Sequence, residues 1–124
     1  MSKPILPDTF CKAGGAGYGY HLAGFDVIGV DIEFQKRYPF EFHQADAMEF
    51  IAKHGKEFDV THASPPCQKY GRLNYLHKRD YPDLIALVRK LLTATGKPYI
   101  IENLPEAPLI NPITLCGTMF GLLT

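Results

Sequence analysis

Charge of neither sign is in excess in this chain: Lys and Arg number 13 and Asp and Glu 13 among 124 residues, for a formal net charge of zero. That excludes a generally basic coat for nucleic acid, so any contact with phosphates must come from a local patch. No apolar run approaches the ~20 residues of a membrane span, and the opening Met-Ser-Lys-Pro lacks the hydrophobic segment of a secretory signal. The expectation is a soluble, intracellular protein of the cytoplasm with no membrane partner. Cysteine is scarce too. Cys11, Cys67 and Cys116 lie far apart, and an odd count without a secretion signal argues against a disulfide framework. With no Cys-x-x-Cys pair and no His-rich cluster, no metal site is expected. At least one cysteine is then a small core residue or a reactive thiol.

What is present suits one globular α/β domain over residues 1–124, with 46% hydrophobic content. Residues 4–10 read as a short strand that runs into a glycine-rich loop, Cys11–Gly19, and a short helix near Tyr20–Ala23. Asp26–Asp31 reads as a second strand and Phe40–His43 as a third. Asp46–His54 reads as a helix with Gly55 just past its end, and Asp46 with Glu49 has capping-box spacing. Phe58–Ala63 is a fourth strand, followed by Ser64-Pro65-Pro66-Cys67. Between Pro82 and Gly96, Leu84, Leu87, Val88, Leu91 and Leu92 fall at helical spacing. Pro98–Ile101 is a fifth strand, ending at Glu102-Asn103. Such alternation predicts a mostly parallel sheet, whose ligands bind beyond the carboxyl ends of its strands. The glycine loop, Asp31, Asp46, Pro-Pro-Cys and Glu-Asn all fall at those ends.

Gly14, Gly15, Gly17 and Gly19 permit tight turns and close approach of backbone to a ligand; a flexible turn is the plain alternative. Asp31 follows Gly14 by 17 residues at a strand end, where an acid accepts hydrogen bonds from ribose hydroxyls in nucleoside-binding α/β folds. Loop and acid together favour an adenosine-containing cofactor. Asp46 serves as a helix cap, as a contact to a base amino group, or as both through its two oxygens. Pro65-Pro66 stiffen the chain as it leaves a strand. Cys67 behind them reads as a thiolate held in a fixed direction or as a buried structural cysteine. Glu102 ends an apolar strand, either as a proton or hydrogen-bond donor of raised pKa or as a loop acid capping the next segment.

Asp8-Thr9-Phe10-Cys11 with Ala13-Gly14-Gly15, Ala23-Gly24-Phe25, Asp31, Pro65-Pro66-Cys67-Gln68 and Glu102-Asn103 together resemble the DNA (cytosine-5) methyltransferase family, short phage-type members in particular, over residues 6–121. The resemblance implies a Rossmann-like methyltransferase fold, S-adenosylmethionine as cofactor and DNA as substrate. It implies that Phe10 packs on the cofactor, that Gly14 and Gly15 give it room, that Asp31 takes the ribose and Asp46 the adenine amine. Ile32 and Pro65 complete the implied cofactor set. Cys67 becomes the nucleophile that adds to carbon-6 of cytosine, with Gln68, Glu102 and Asn103 in the catalytic set. Glu102 bonds the ring nitrogen-3 and the exocyclic amine of a base rotated out of the duplex. Lys69, Tyr70, Arg72, Lys78 and Arg79, with Tyr75 between them, then fit a mobile loop contacting DNA; a solvated surface loop is the alternative.

Three departures stand beside that resemblance. Lys12 occupies a position where the family has glycine: if the backbone there needs positive φ, lysine costs roughly 1 kcal/mol. Its side chain either intrudes on the cofactor site or pairs with the cofactor's carboxylate. Lys69-Tyr70-Gly71 stands where relatives continue Gly-Phe-Ser. Beyond Gly121-Leu122-Leu123-Thr124, relatives continue into an Arg-x-Arg motif, further strands and a recognition region. The resemblance therefore implies a sheet incomplete at the C-terminal end, with self-association or a second chain through that region. It also leaves a second reading, a non-catalytic module of the same fold that binds cofactor, DNA or protein without turnover.

Overall fold

The computed structural model describes residues 3–66, 84–103 and 109–114. Five strands, β1 (Ile5–Thr9), β2 (Asp26–Asp31), β3 (Glu41–Gln44), β4 (Thr61–Ala63) and β5 (Tyr99–Ile101), form one sheet in the order β3-β2-β1-β4-β5. Every pairing is parallel. Helix α1 (Gly15–Leu22) joins β1 to β2, α2 (Ala47–His54) lies between β3 and β4, and α3 (Leu84–Ala94) precedes β5. Strand order reverses between β1 and β4, which opens a crevice beyond their carboxyl ends. The fold is α/β and Rossmann-like.

The core divides between two faces. Ile51 of α2, Val88 and Leu92 of α3 and Ala63 of β4 form one cluster, with Phe10, Met48, Leu91 and Ile101 against it. Cys11, Val27 and Tyr38 form the other, with Tyr20, Phe25, Phe40 and Phe42. His62 bonds to Tyr20 while its neighbour Ala63 joins the first cluster. Since successive strand residues point to opposite faces, the clusters lie on opposite sides of the sheet.

The elements depart from the sequence reading in places that have local causes. Helix α1 starts at Gly15, not near Tyr20. Gly14 at φ 102 turns the chain as its N-cap, a conformation that glycine adopts without a Cβ penalty. Gly55 has φ −56, so it is no left-handed stop; it opens a 3-10 turn, and a Cβ there would meet Thr95 at 2.6 Å. Strand β3 is Glu41–Gln44 rather than Phe40–His43. In α3 the buried stripe is Ile85, Val88 and Leu92, whereas Leu87 is 47% exposed.

Strand β4 spans only Thr61–Ala63, not Phe58–Ala63. The cause sits on its neighbour. The Ile5 amide and carbonyl both face Asp59 on the β4 side, and Pro7, two residues on, points the same way but has no N–H to donate. The ladder with β4 accordingly pairs only Asp8 with His62 and Thr9 with Ala63.

Candidate functional site

Beyond β1 the backbone takes positive φ at Phe10 (57), Lys12 (51) and Gly14 (102). Left-handed backbone costs about 1–2 kcal/mol at a residue with a side chain, so Lys12 carries the strain that glycine would avoid. Hydrogen bonds hold the turn in place. Cys11 N–H donates to the Val30 carbonyl at 3.1 Å, and Lys12 N–H donates to Asp31 Oδ2 at 3.0 Å. Glu33 N–H donates to Asp31 Oδ1 at 3.0 Å. The Asp31 carboxylate thus joins the β1 and β2 loops, and each of its oxygens keeps a lone pair for a ligand donor.

Asp46 is the N-cap of α2, as its sequence position suggests. Met48 N–H and Glu49 N–H both donate to Oδ1, at 2.8 and 3.2 Å, which leaves Oδ2 for another donor. Phe10, Lys12, Asp31, Ile32, Asp46 and Pro66 line one cavity of about 260 Å³ beyond the strand ends. Four expected cofactor residues (Phe10, Asp31, Ile32 and Asp46) therefore meet. Gly14 and Gly15 are not in its lining: a Cβ on Gly14 would meet the Tyr38 ring at 3.0 Å, and Gly15 opens α1 with free space around it.

Cys67 and Gln68 lie outside the described residues, as do Lys69, Tyr70, Arg72, Lys78 and Arg79. The approach to Cys67 is described. Ser64 N–H donates to the Thr9 carbonyl at 3.3 Å, and Asn103 Nδ2 donates to the carbonyl of buried Pro65 at 3.0 Å. Glu102 N–H donates to the Ala63 carbonyl at 3.0 Å. The Pro-Pro turn and the Glu-Asn strand end are pinned to each other. Cys11 is buried, and burial, with Asp8 and Asp31 adding their charge, pushes its thiol up to about 12. It stays protonated at neutral pH and packs as a small hydrophobe.

Two buried polar groups escaped the sequence reading. Tyr38 Oη donates to Asp8 Oδ2 at 3.1 Å, and a Cβ on Gly17 would sit 2.8 Å from both atoms. Burial raises the Asp8 carboxyl to about 6, against the Tyr38 and Gly17 hydrogen bonds, with the Asp31 charge adding to the rise. Elsewhere, Tyr20 Oη lies 2.7 Å from His62 Nδ1, and His62 Nε2 lies 2.7 Å from Ser64 Oγ. A histidine inside the expected strand Phe58–Ala63 was the one visible signal for this second group. Among the described residues no group of three His, Cys, Asp or Glu could hold a metal ion, and no helix is long and apolar enough to cross a membrane.

Sheet order and crevice together define a Rossmann-like α/β protein whose cavity is lined by acids at two strand ends. No family model matches the chain, and no curated protein matches it. Among solved structures it is similar to a SAM-dependent methyltransferase from Agrobacterium tumefaciens, at 23% identity and a TM-score of 0.44. That likeness covers 57% of this chain and 28% of the other, so the chain spans under a third of that protein's length.

Proposed function

We propose that the chain is the cofactor-binding and nucleophile-bearing part of a DNA (cytosine-5) methyltransferase. One observation carries the reading: a single cavity gathers Phe10, Asp31 and Asp46 with Pro66, the residue that precedes Cys67. The residues present suit S-adenosylmethionine. Asp31 offers acceptors to ribose hydroxyls, Asp46 Oδ2, without a partner among the described residues, suits an adenine amine, and Phe10 offers an apolar face. When bound, that cofactor supplies the methyl group.

The protein's own residues do the rest. Cytosine carbon-5 is too weak a nucleophile unaided, so the Cys67 thiolate adds to carbon-6 across the 5,6-double bond and makes carbon-5 electron-rich; once carbon-5 carries the methyl group, loss of its proton re-forms the double bond and expels the thiolate. Glu102 holds ring nitrogen-3 and the exocyclic amine, and Asn103 anchors the Pro65 carbonyl so that the turn entering Cys67 keeps its direction. Lys69, Arg72, Lys78 and Arg79 supply phosphate contacts, with Tyr70 among them. One observation favours the non-catalytic alternative: Lys12, at a glycine position of the family, lines the same cavity.

Calorimetry with S-adenosylhomocysteine tests the cofactor half; heat is expected in the wild type and lost in Asp31→Ala. Covalent trapping on a duplex containing 5-fluorocytosine tests the nucleophile, and Cys67→Ser is expected to abolish it. Binding without any trapping would select the non-catalytic module, and no heat at millimolar ligand would overturn the enzyme reading and leave only a module that binds DNA or protein.

A further inference from the structure

Between α1 and β4 runs a line of polar side chains that methyl transfer itself does not use. Tyr20 Oη lies 2.7 Å from His62 Nδ1, and across the ring His62 Nε2 lies 2.7 Å from Ser64 Oγ. His62 is 4% exposed, and Ser64 lines the same cavity as Lys12 and Phe10. Burial holds the imidazole below its ordinary range, against the pull of the Glu102 carboxylate, so the ring is neutral at neutral pH. Burial and the Asp8 charge push the Tyr20 phenol up to about 12, so it keeps its proton.

A neutral imidazole has one N–H and one lone pair, so the two bonds must run in the same sense. In one sense Tyr20 donates to Nδ1 and Nε2–H donates to Ser64 Oγ. In the other, Nδ1–H donates to Tyr20, and the phenol proton is left over. Either sense leaves one hydroxyl proton over. The Ser64 proton can be taken at the cavity that Ser64 lines, whereas the Tyr20 hydroxyl has His62 as its only hydrogen-bond partner among the described residues and its ring packs against the Cys11, Val27 and Tyr38 cluster. The first sense therefore costs less. Ser64 then accepts from His62, and its own proton is left to seek an acceptor elsewhere.

The cavity lining has a matching asymmetry. Among the described residues Lys12 is its one cation, against Asp31, Glu33 and Asp46. A ligand complementary to it carries hydroxyl and amino donors for the acids and an anionic acceptor for the lysine. We infer that Tyr20 and His62 fix Ser64 as a hydrogen-bond donor and that Ser64, with Lys12, receives the carboxylate of an amino-acid-bearing nucleoside. This rests on the cofactor reading above. Ser64 is the contact, whereas His62 and Tyr20 are positioning residues.

Two ligands that share the adenosine and its sulfur separate this from general damage. S-adenosylhomocysteine carries the amino-acid arm and 5′-methylthioadenosine lacks it. Ser64→Ala is expected to weaken the first about tenfold, as for one lost charge-assisted bond, and to leave the second unchanged. Tyr20→Phe is expected to weaken the first alone. Nitrogen-15 spectra of the wild-type imidazole, which need no substitution, should show the proton on Nε2, and Tyr20→Phe should shift it toward Nδ1. Equal loss for both ligands, no loss for either, or a wild-type proton on Nδ1 overturns the inference. Wild type that binds 5′-methylthioadenosine but not S-adenosylhomocysteine also overturns it, leaving the nucleoside site standing; wild type that binds neither overturns the cofactor reading and the inference with it.

Discussion

Asp8 lies on the central strand with 1% of its surface exposed, under the Tyr38 hydroxyl. Its carboxyl titrates near 6 in the folded chain, against 3.8 for the free side chain. The folded state therefore holds this proton more tightly than the unfolded one. Stability from this group is fully present below pH ~4, falls as pH rises, and is gone above the folded pKa near 6. A rise of that size is worth about 3 kcal/mol. Asp8→Asn cannot ionise, so the stability of wild type relative to this variant should drop by about 2.5 kcal/mol between pH 4 and pH 7. Urea unfolding at the two pH values measures it, and parallel pH profiles would refute the assignment. None of this was legible in the sequence, where Asp8 is one acid in a short strand and Tyr38 stands 30 residues away. The same pairing explains part of the glycine pattern: Gly14 and Gly17 stay bare because Tyr38 lies over them.

Helix α2 shows how one residue serves both its element and the site. Asp46 caps the helix through Oδ1 alone, and Oδ2 has no partner among the described residues. Asn caps nearly as well as Asp, but its amide group donates where the carboxylate accepts. Asp46→Asn should therefore unfold within a few tenths of a kcal/mol of wild type and yet bind S-adenosylhomocysteine about tenfold more weakly. Asp46→Ala should lose about 1 kcal/mol of stability as well. Denaturation with calorimetry reads both, and unchanged affinity in Asp46→Asn would mean that Oδ2 meets no ligand donor. This cap was legible because its signal is local, a side chain and the amides two and three residues on. Strand β2 was legible for the same reason, as a run of β-branched residues between two acids. The length of β4 was not, because Pro7 on a neighbouring strand sets it. In α3, Val88 and Leu92 were legible from their helical spacing, whereas Ile85 was not, since several apolar residues compete for the core and only packing selects among them.

At the scale of the whole molecule, a parallel sheet collects its strand ends on one side, so Phe10, Asp31 and Asp46 meet although far apart in sequence. That part of the site followed from the alternation of elements. The Tyr20–His62–Ser64 line did not, because it joins residues 42 positions apart with no motif to mark them. The two sheet edges also differ in a way that only the strand order reveals. Edge strand β3 carries Glu41 paired with His43 at 2.8 Å, both exposed, and charge of this kind discourages pairing with another chain. Among the described residues the other edge strand is β5, Tyr-Ile-Ile, with Ile100 44% exposed, and Ile113 farther along is 86% exposed. A bare apolar edge invites a partner, while a charged one repels it. The 124-residue chain is therefore expected to associate through the β5 side and not through β3. Light scattering should give a mass above 13.9 kDa that falls toward the monomer on dilution and in Ile100→Lys. A Glu41→Lys control should leave association unchanged. A wild type that remains monomeric across the concentration range, or an Ile100→Lys chain that associates as before, would remove β5 as the contact.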